Sequence, residues 1–67
     1  MINIWDFRHV RKVSIKTIDG QVYEGGVVDV SSADENDTEE DIIDVELSDG
    51  RIVGFTPSDI FSIIEIT

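Results

Sequence analysis

Two Asp-Gly dipeptides restrict the possible folds of this chain more than any other feature. Asp19-Gly20 and Asp49-Gly50 each separate two runs that are rich in β-branched residues. Asp-Gly readily adopts the positive φ angles of a tight turn, so each dipeptide predicts an antiparallel hairpin. Because 67 residues enclose one small core at most, we expect a single domain over residues 1–67.

The segments between the turn signals predict five short strands, at residues 13–18, 21–30, 42–47, 51–55 and 60–66. Apolar and acidic residues alternate over 42–47, which is typical of a half-buried strand. Residues 60–66 are apolar on both faces, as in a barrel-closing strand or an edge covered by a second copy. Gly25-Gly26 predicts a sharp bend or a bulge inside the second strand.

The remaining segments predict little further regular structure. Asn3 and Asp6 favour a short helix within residues 1–12. Thr56-Pro57 favours one helical turn before the last strand, and the polar, acidic residues 31–41 predict a solvated loop. Together the elements predict a mainly β fold: a small five-stranded, strongly bent antiparallel barrel, Src-homology-3-like, over residues 13–66, with a short N-terminal helix.

The charged residues are segregated along the chain. Fifteen acids against five bases give a net charge of −10, and residues 17–50 hold twelve acids but no Lys or Arg. Since Lys and Arg supply most of the affinity for phosphates, we do not expect the body of the domain to bind nucleic acid. A basic protein surface is the expected partner. The alternative is that the charge only keeps a small protein soluble.

No pattern predicts catalysis, a metal or a cofactor. Cysteine is absent, which excludes thiolate chemistry and sulfur-ligated metals. His9 is the only histidine and no serine motif accompanies it. A calcium-loop template that starts at Asp34 places Thr38 and Glu39 where a ligand and the turn glycine belong. We therefore predict a protein that is not an enzyme. Without a long apolar run, we also expect no membrane contact and a cytoplasmic location.

A set of glycine and apolar positions resembles the motifs of the Sm and Sm-like family. The first motif is matched by Gly20, Tyr23, Gly25, Val27 and Val30, and the second by Ile60 and Ile63. The resemblance covers residues 10–66. It implies a short helix followed by a five-stranded bent barrel, and assembly into rings by pairing of edge strands.

The residues through which that family contacts RNA are replaced here. The Asp and the Asn of the family's first motif fall on Ser31 and Asp34, and the Arg-Gly pair of its second motif falls on Thr56-Pro57. An aspartate in place of the amide repels a phosphate, and Thr56 offers no guanidinium plane on which a base can stack. The resemblance therefore does not carry an RNA site over to this chain.

The leading hypothesis is a non-catalytic module whose acidic residues bind a basic protein surface. The candidate partner-binding residues are Asp29, Asp34, Glu35, Asp37, Glu39, Glu40, Asp41, Asp44 and Glu46. In its sharpest form the module imitates nucleic acid and inhibits a DNA- or RNA-binding protein, for example as a nuclease inhibitor encoded by a phage or mobile element. One alternative is an Sm-like RNA-binding oligomer that uses an altered site or the basic segment around Trp5 and Phe7. Another is a structural module that self-associates through residues 60–66.

Overall fold

The computed structural model describes residues 2–66, which form one five-stranded antiparallel sheet. The strands are β1 (Lys12–Thr17), β2 (Val22–Ser31), β3 (Ile42–Leu47), β4 (Ile52–Phe55) and β5 (Ile60–Glu65), in the order β4-β3-β2-β1-β5. The five predicted strands are confirmed, with ends displaced by one residue at most. Met1 and Thr67, the ends of the predicted domain 1–67, lie outside the described residues.

Three short helical segments connect or precede the strands. A 3-10 helix (Ile4–Phe7) precedes β1, α1 (Ala33–Asn36) joins β2 to β3, and a second 3-10 helix (Pro57–Asp59) joins β4 to β5. None of the helices formed by residues 2–66 combines the length and the apolar character needed to cross a bilayer.

Both Asp-Gly dipeptides form the predicted hairpins. Gly20 and Gly50 have φ angles of 88° and 90°, which are accessible to glycine without steric penalty. The Gly20 amide donates to the Thr17 carbonyl oxygen, and the Gly50 amide to that of Leu47, each at 3.0 Å. Local turn chemistry therefore sets the β1–β2 and β3–β4 pairings.

The ten-residue strand β2 belongs to both halves of the sheet. Its first half, from Val22 to Gly26, pairs with β1, and its second half, from Gly25 onward, pairs with β3. The strand that pairs with β2 changes from β1 to β3 at Gly25-Gly26, where the sequence predicted a bend or a bulge. The register shift itself falls between Val27 and Asp29, so the bulge lies just beyond the glycines.

The backbones of β2 and β3 approach each other so closely at position 25 that only glycine fits there. A Cβ atom at this position would lie 2.2 Å from the backbone oxygen of Glu46 and 2.8 Å from a methyl carbon of Val45. Such separations are far inside van der Waals contact, so any side chain here would force β2 and β3 apart. At Gly26 the nearest atom to an added Cβ is the Arg11 carbonyl oxygen, at 3.4 Å.

One face of the sheet packs into the core, and the opposite face is called the outer face below. The core consists of Ile4, Val13, Ile15, Val30, Ile43, Val45, Phe55 and Ile60. Along β1 and β3 the buried residues alternate with more exposed ones, as the period of two requires. Ile4 lies on the N-terminal helix and packs into this core, so it attaches the helix to the sheet.

Two side-chain caps define the N-terminal helix and α1. The Asn3 Oδ1 atom accepts a hydrogen bond from the Trp5 amide at 3.1 Å, so Asn3 caps the short helix that was predicted for this segment. The Ser32 Oγ atom accepts one from the Glu35 amide at 3.2 Å, and α1 ends at Asp37 with φ 55°. The solvated loop predicted over residues 31–41 therefore contains one capped helical turn, and its first residue belongs to β2.

The sheet has two ends, at β4 and β5. Each of these strands pairs with one neighbour, β3 and β1 respectively, and within residues 2–66 no ladder joins β4 to β5. The connection through the second 3-10 helix is short, and the Ile18 amide on the β1–β2 turn donates to the Asp59 carbonyl oxygen at 3.0 Å. This bond ties the two connections together at one end of the sheet.

Gly25→Ala is expected to destabilise the protein by about 1–3 kcal/mol, because the new methyl group overpacks the β2–β3 contact. Gly26→Ala is the matched control and should change the free energy of unfolding by less than about 0.5 kcal/mol. Urea denaturation followed by circular dichroism measures both. Equal unfolding midpoints for the two variants would contradict the close approach at Gly25.

Candidate functional site

Three of the nine predicted partner-binding residues lie on the outer face of the sheet. Asp44 and Glu46 alternate along β3 with the buried Ile43 and Val45, so their carboxylates point away from the core. Asp29 lies on the adjacent strand β2 and is exposed. These three residues, Asp29, Asp44 and Glu46, are called the acidic face below.

Within the acidic face, Asp29 and Asp44 are directly opposite each other on neighbouring strands. The bulge in β2 lets both Val28 and Asp29 lie on the exposed side, where a regular strand would turn one of them inward. Like charges at opposite positions destabilise a sheet. Among residues 2–66 the only ion pair is Arg51–Asp49, with 2.6 Å between Nε and Oδ2, so no described base neutralises this pair directly.

Four further predicted residues lie on and beyond α1: Asp34, Glu35, Asp37 and Glu39, all exposed. Asp34 and Glu35 lie in the first turn of α1, where negative charge suits the unpaired amides of a helix N-terminus. No side-chain carboxylate of these four accepts a hydrogen bond from residues 2–66. Their charges are therefore open to solvent or to a partner.

The last two predicted residues, Glu40 and Asp41, bind within the chain. The Glu40 carboxylate accepts hydrogen bonds from the hydroxyl of Ser58 at 2.6 Å and from its amide at 3.2 Å. The Asp41 carboxylate accepts from the Trp5 indole Nε1 at 2.7 Å and from the Ala33 amide at 2.8 Å. Glu40 thus fixes the second 3-10 helix, and Asp41 fixes both the N-terminal helix and the start of α1.

Hydrogen bonding lowers the pKa of three carboxyl groups. The Trp5 indole and the Ala33 amide hold the pKa of Asp41 below its ordinary value. The Thr17 hydroxyl, followed by the Gln21 amide, lowers the pKa of Asp19. The Arg51 amide and guanidinium lower the pKa of Asp49. In each case the donors stabilise the charged form of the carboxyl group.

The aromatic and basic residues near the N-terminus also interact with each other. Trp5 and Phe7 pack against the core, and the Arg8 guanidinium lies 5.7 Å from the centre of the Trp5 ring. Because the indole N–H is bound to Asp41, Trp5 holds the helix on the sheet. The Trp5 pairing was not predicted, since its partner is 36 residues away along the chain.

Sequence reasoning also missed Glu24, which lies beside the acidic face. A recess of about 270 Å³ is lined by Lys12, Glu24, Gly25, Gly26, Glu46 and Ser48. Lys12 and Glu46 are both opposite Gly26 on its two neighbouring strands. The alternation of side-chain directions along β2 could have identified Glu24, because Glu24 is two residues before Gly26 and therefore lies on the same face of the strand.

No group of three or more His, Asp or Glu side chains within residues 2–66 is placed to hold a metal ion. The single histidine, His9, is exposed in the turn that follows the N-terminal helix.

Asp41→Asn is expected to lower the unfolding midpoint and to shift the fluorescence of Trp5, the only tryptophan, to longer wavelength. An amide presents one acceptor and one donor, so either the indole or the Ala33 amide loses its acceptor. Glu39→Gln is the matched control in the same segment. If both variants unfold and fluoresce like the parent protein, Asp41 does not hold the helix.

The difference in stability between the parent and Asp41→Asn should depend on pH. Because the folded pKa of Asp41 is lowered, its contribution is present above the unfolded value of about 3.9 and is lost as the pH falls through the folded value. Thermal unfolding from pH 7 to pH 2.5 should show the gap shrinking only below about pH 4. A gap that is constant with pH would contradict an ionised, hydrogen-bonded Asp41.

Comparison with known proteins identifies no relative. No protein-family model matches the chain, and neither the curated proteins nor the solved structures include a match. The resemblance to the Sm-like family therefore stays a prediction that rests on the residues quoted for it.

Proposed function

We propose that the protein is a non-catalytic binding module whose acidic face engages a basic surface of another protein. In the sharpest form of this proposal, the partner is a cytoplasmic DNA- or RNA-binding protein, such as a nuclease, and the module occupies its nucleic-acid groove. An inhibitor of this kind suits a phage or mobile element. The exposed carboxylates of α1 and of the segment after it extend the same field of charge.

The observation that carries the proposal is the opposition of Asp29 and Asp44 across β2 and β3. The pair destabilises the isolated sheet, and no base within residues 2–66 forms an ion pair with it. Cationic groups of a partner would relieve this repulsion on binding. Binding would therefore remove a repulsion that destabilises the free protein, and this relief would add to the affinity.

The rigidity of the sheet adds to this support. Asp29, Asp44 and Glu46 are held on paired strands, so a partner meets charges that are already positioned and little backbone entropy is lost on association. Fixed, solvated charges also predict association that is fast at low salt. The same interaction weakens as salt shortens the Debye length from about 30 Å at 0.01 M to about 10 Å at 0.1 M.

We further propose that the sheet is rolled into the open barrel of Sm-like and Src-homology-3-like proteins. The rings of Tyr23 on β2 and Phe55 on β4 lie 5.2 Å apart, although β3 separates these strands in the sheet order. In a flat sheet, strands two places apart are separated by about 9.5 Å. The smallest molecular extent, 21 Å, also exceeds the thickness of one layer. Both observations favour a curled sheet.

A second candidate function, self-association through residues 60–66, is favoured by the exposure of β5. Phe61 and Ile64 are 68% and 58% exposed, and β5 pairs with β1 only. An edge strand with large apolar side chains is a template for pairing with another chain. This candidate is compatible with the ring assembly that the Sm-like resemblance implies.

The first test combines Asp29→Asn with Asp44→Asn in one chain. The free protein should become more stable by roughly 0.2–1 kcal/mol, because like charges no longer oppose each other. Partners captured from cell extract should elute at lower salt, with affinity reduced about tenfold. Calorimetric titration of the captured protein at two salt concentrations measures this loss.

The matched control combines Asp6→Asn with Glu65→Gln, which changes the net charge equally but removes no opposed pair, since Glu65 is opposite Val13. If the control weakens binding as much as the first variant, net charge alone is responsible and the acidic face has no special role.

Saturable binding of single-stranded RNA, lost on changing Arg8, Arg11 and Lys12, would instead favour the RNA-binding alternative.

The second test combines Phe61→Ser with Ile64→Ser. If β5 mediates assembly, light scattering should show the parent protein as an oligomer and the variant as a monomer over the same concentrations. Val28→Ser, which removes a 53% exposed apolar side chain on the part of β2 that pairs with β3, should leave the oligomer intact. A parent protein that is monomeric at every concentration contradicts this candidate.

A further inference from the structure

A pocket lies where the β1–β2 turn meets the connection between β4 and β5. It has a volume of about 340 Å³ and is lined by Thr17, Ile18, Asp19, Tyr23, Phe55 and Asp59, and it is called the rim pocket below. The hydrogen bond between the Ile18 amide and the Asp59 carbonyl oxygen joins its two sides. The pocket is therefore framed by segments that are already held together.

The wall of the rim pocket is aromatic and apolar. The rings of Tyr23 and Phe55 are 5.2 Å apart with an angle of 58° between their planes. Phe55 is buried in the core and Tyr23 is half-buried, so packing fixes both rings. The face of an aromatic ring carries negative potential and attracts a cation that lies over it.

Two carboxylates complete the pocket, and each is already oriented. Asp19 Oδ1 accepts hydrogen bonds from the Thr17 hydroxyl and, at 3.4 Å, from the Gln21 amide. Asp59 Oδ2 accepts one from the Thr56 hydroxyl at 2.9 Å. The second oxygen of each carboxylate, Asp19 Oδ2 and Asp59 Oδ1, accepts no hydrogen bond from residues 2–66. Neither carboxylate forms an ion pair within that range.

These features together select a particular kind of occupant. An anion is repelled by two carboxylates, and a purely apolar group leaves them without partners. A guanidinium group has a flat surface that stacks on an aromatic ring and several N–H donors in its plane for carboxylate oxygens. Its alkyl stem can pack on Ile18, which lines the pocket and is exposed.

We propose that the rim pocket binds the side chain of an arginine presented by a partner protein. This inference deepens the proposed function and rests on it for the partner, since a basic protein surface would supply the arginine. The acidic face would then provide long-range attraction, and the rim pocket would anchor one side chain.

The test titrates ¹⁵N-labelled protein with Nα-acetyl-arginine methylamide, using the citrulline analogue as a neutral probe of the same shape. The arginine probe should cause saturable amide shifts at residues 17–21 and at Asp59. The citrulline probe should bind at least about tenfold more weakly, because it keeps the shape but loses the charge. Absence of saturable shifts, or equal shifts with both probes, would overturn the inference.

A variant with Asp19→Asn and Asp59→Asn keeps an acceptor oxygen for the Thr17 and Thr56 hydroxyls and should fold. It should bind the arginine probe roughly tenfold more weakly, whereas the control Asp6→Asn with Glu65→Gln should bind it like the parent. Equal affinity of the pocket variant and the control would also refute the pocket.

The same titration separates this inference from the proposed function. Asp29→Asn with Asp44→Asn should leave the affinity for the arginine probe unchanged, because those residues do not line the rim pocket. If the pocket binds the probe while the acidic-face variant captures partners normally, the inference stands and only the proposed role of the acidic face fails. If the acidic-face variant abolishes probe binding, the assignment to the rim pocket is wrong.

Discussion

The shared strand β2 is the constraint on which the rest of the structure depends. A core of few residues is enclosed by few strands, and here one strand pairs with β1 along its first half and with β3 along its second. Gly25 makes this possible, because its missing side chain lets the backbone of β3 pass where a Cβ atom would be. The bulge that follows turns Val28 and Asp29 outward, so the same strand also sets one edge of the acidic face.

The carboxylates of this chain are divided between two tasks. Asp41 and Glu40 accept hydrogen bonds from Trp5 and Ser58 and so attach helical segments to the sheet. Asp29 and Asp44 face each other without a described counter-ion. The donors to Asp41 lower its pKa and so stabilise the folded state, whereas an opposed pair of carboxylates opposes folding. Asp29 and Asp44 accept no side-chain hydrogen bond from the described residues, so their oxygens are available to the proposed partner.

The two proposed contact regions differ in physical character. The acidic face is open and solvated, so its contribution acts at a distance and declines with salt. The rim pocket is concave and partly aromatic, so its contribution depends on the fit of one side chain. An interface that combines them would owe its rate of association to the first region and its residence time largely to the second.

The sequence by itself determined the local features of this protein. Asp-Gly dipeptides specified the two hairpins, alternation specified the outward direction of Asp44 and Glu46, and Asn3 specified the start of the first helix. These predictions succeeded because each depends on neighbours within a few residues. The helical turn α1 was missed because the dense acidic charge of residues 31–41 was given more weight than the cap at Ser32.

Only the tertiary structure decided which carboxylates are free. Asp37 and Asp41 are both aspartates of the same acidic segment, and the sequence gives no reason to distinguish them. In the structure, Asp41 accepts a hydrogen bond from an indole 36 residues away along the chain, whereas Asp37 ends a helix. The opposition of Asp29 to Asp44 likewise follows from strand register, and the contact of Tyr23 with Phe55 joins two strands that are not neighbours in the sheet. Such contacts join residues that are distant in sequence, and no local pattern encodes them, because the fold that brings them together is the sum of many weak interactions along the whole chain.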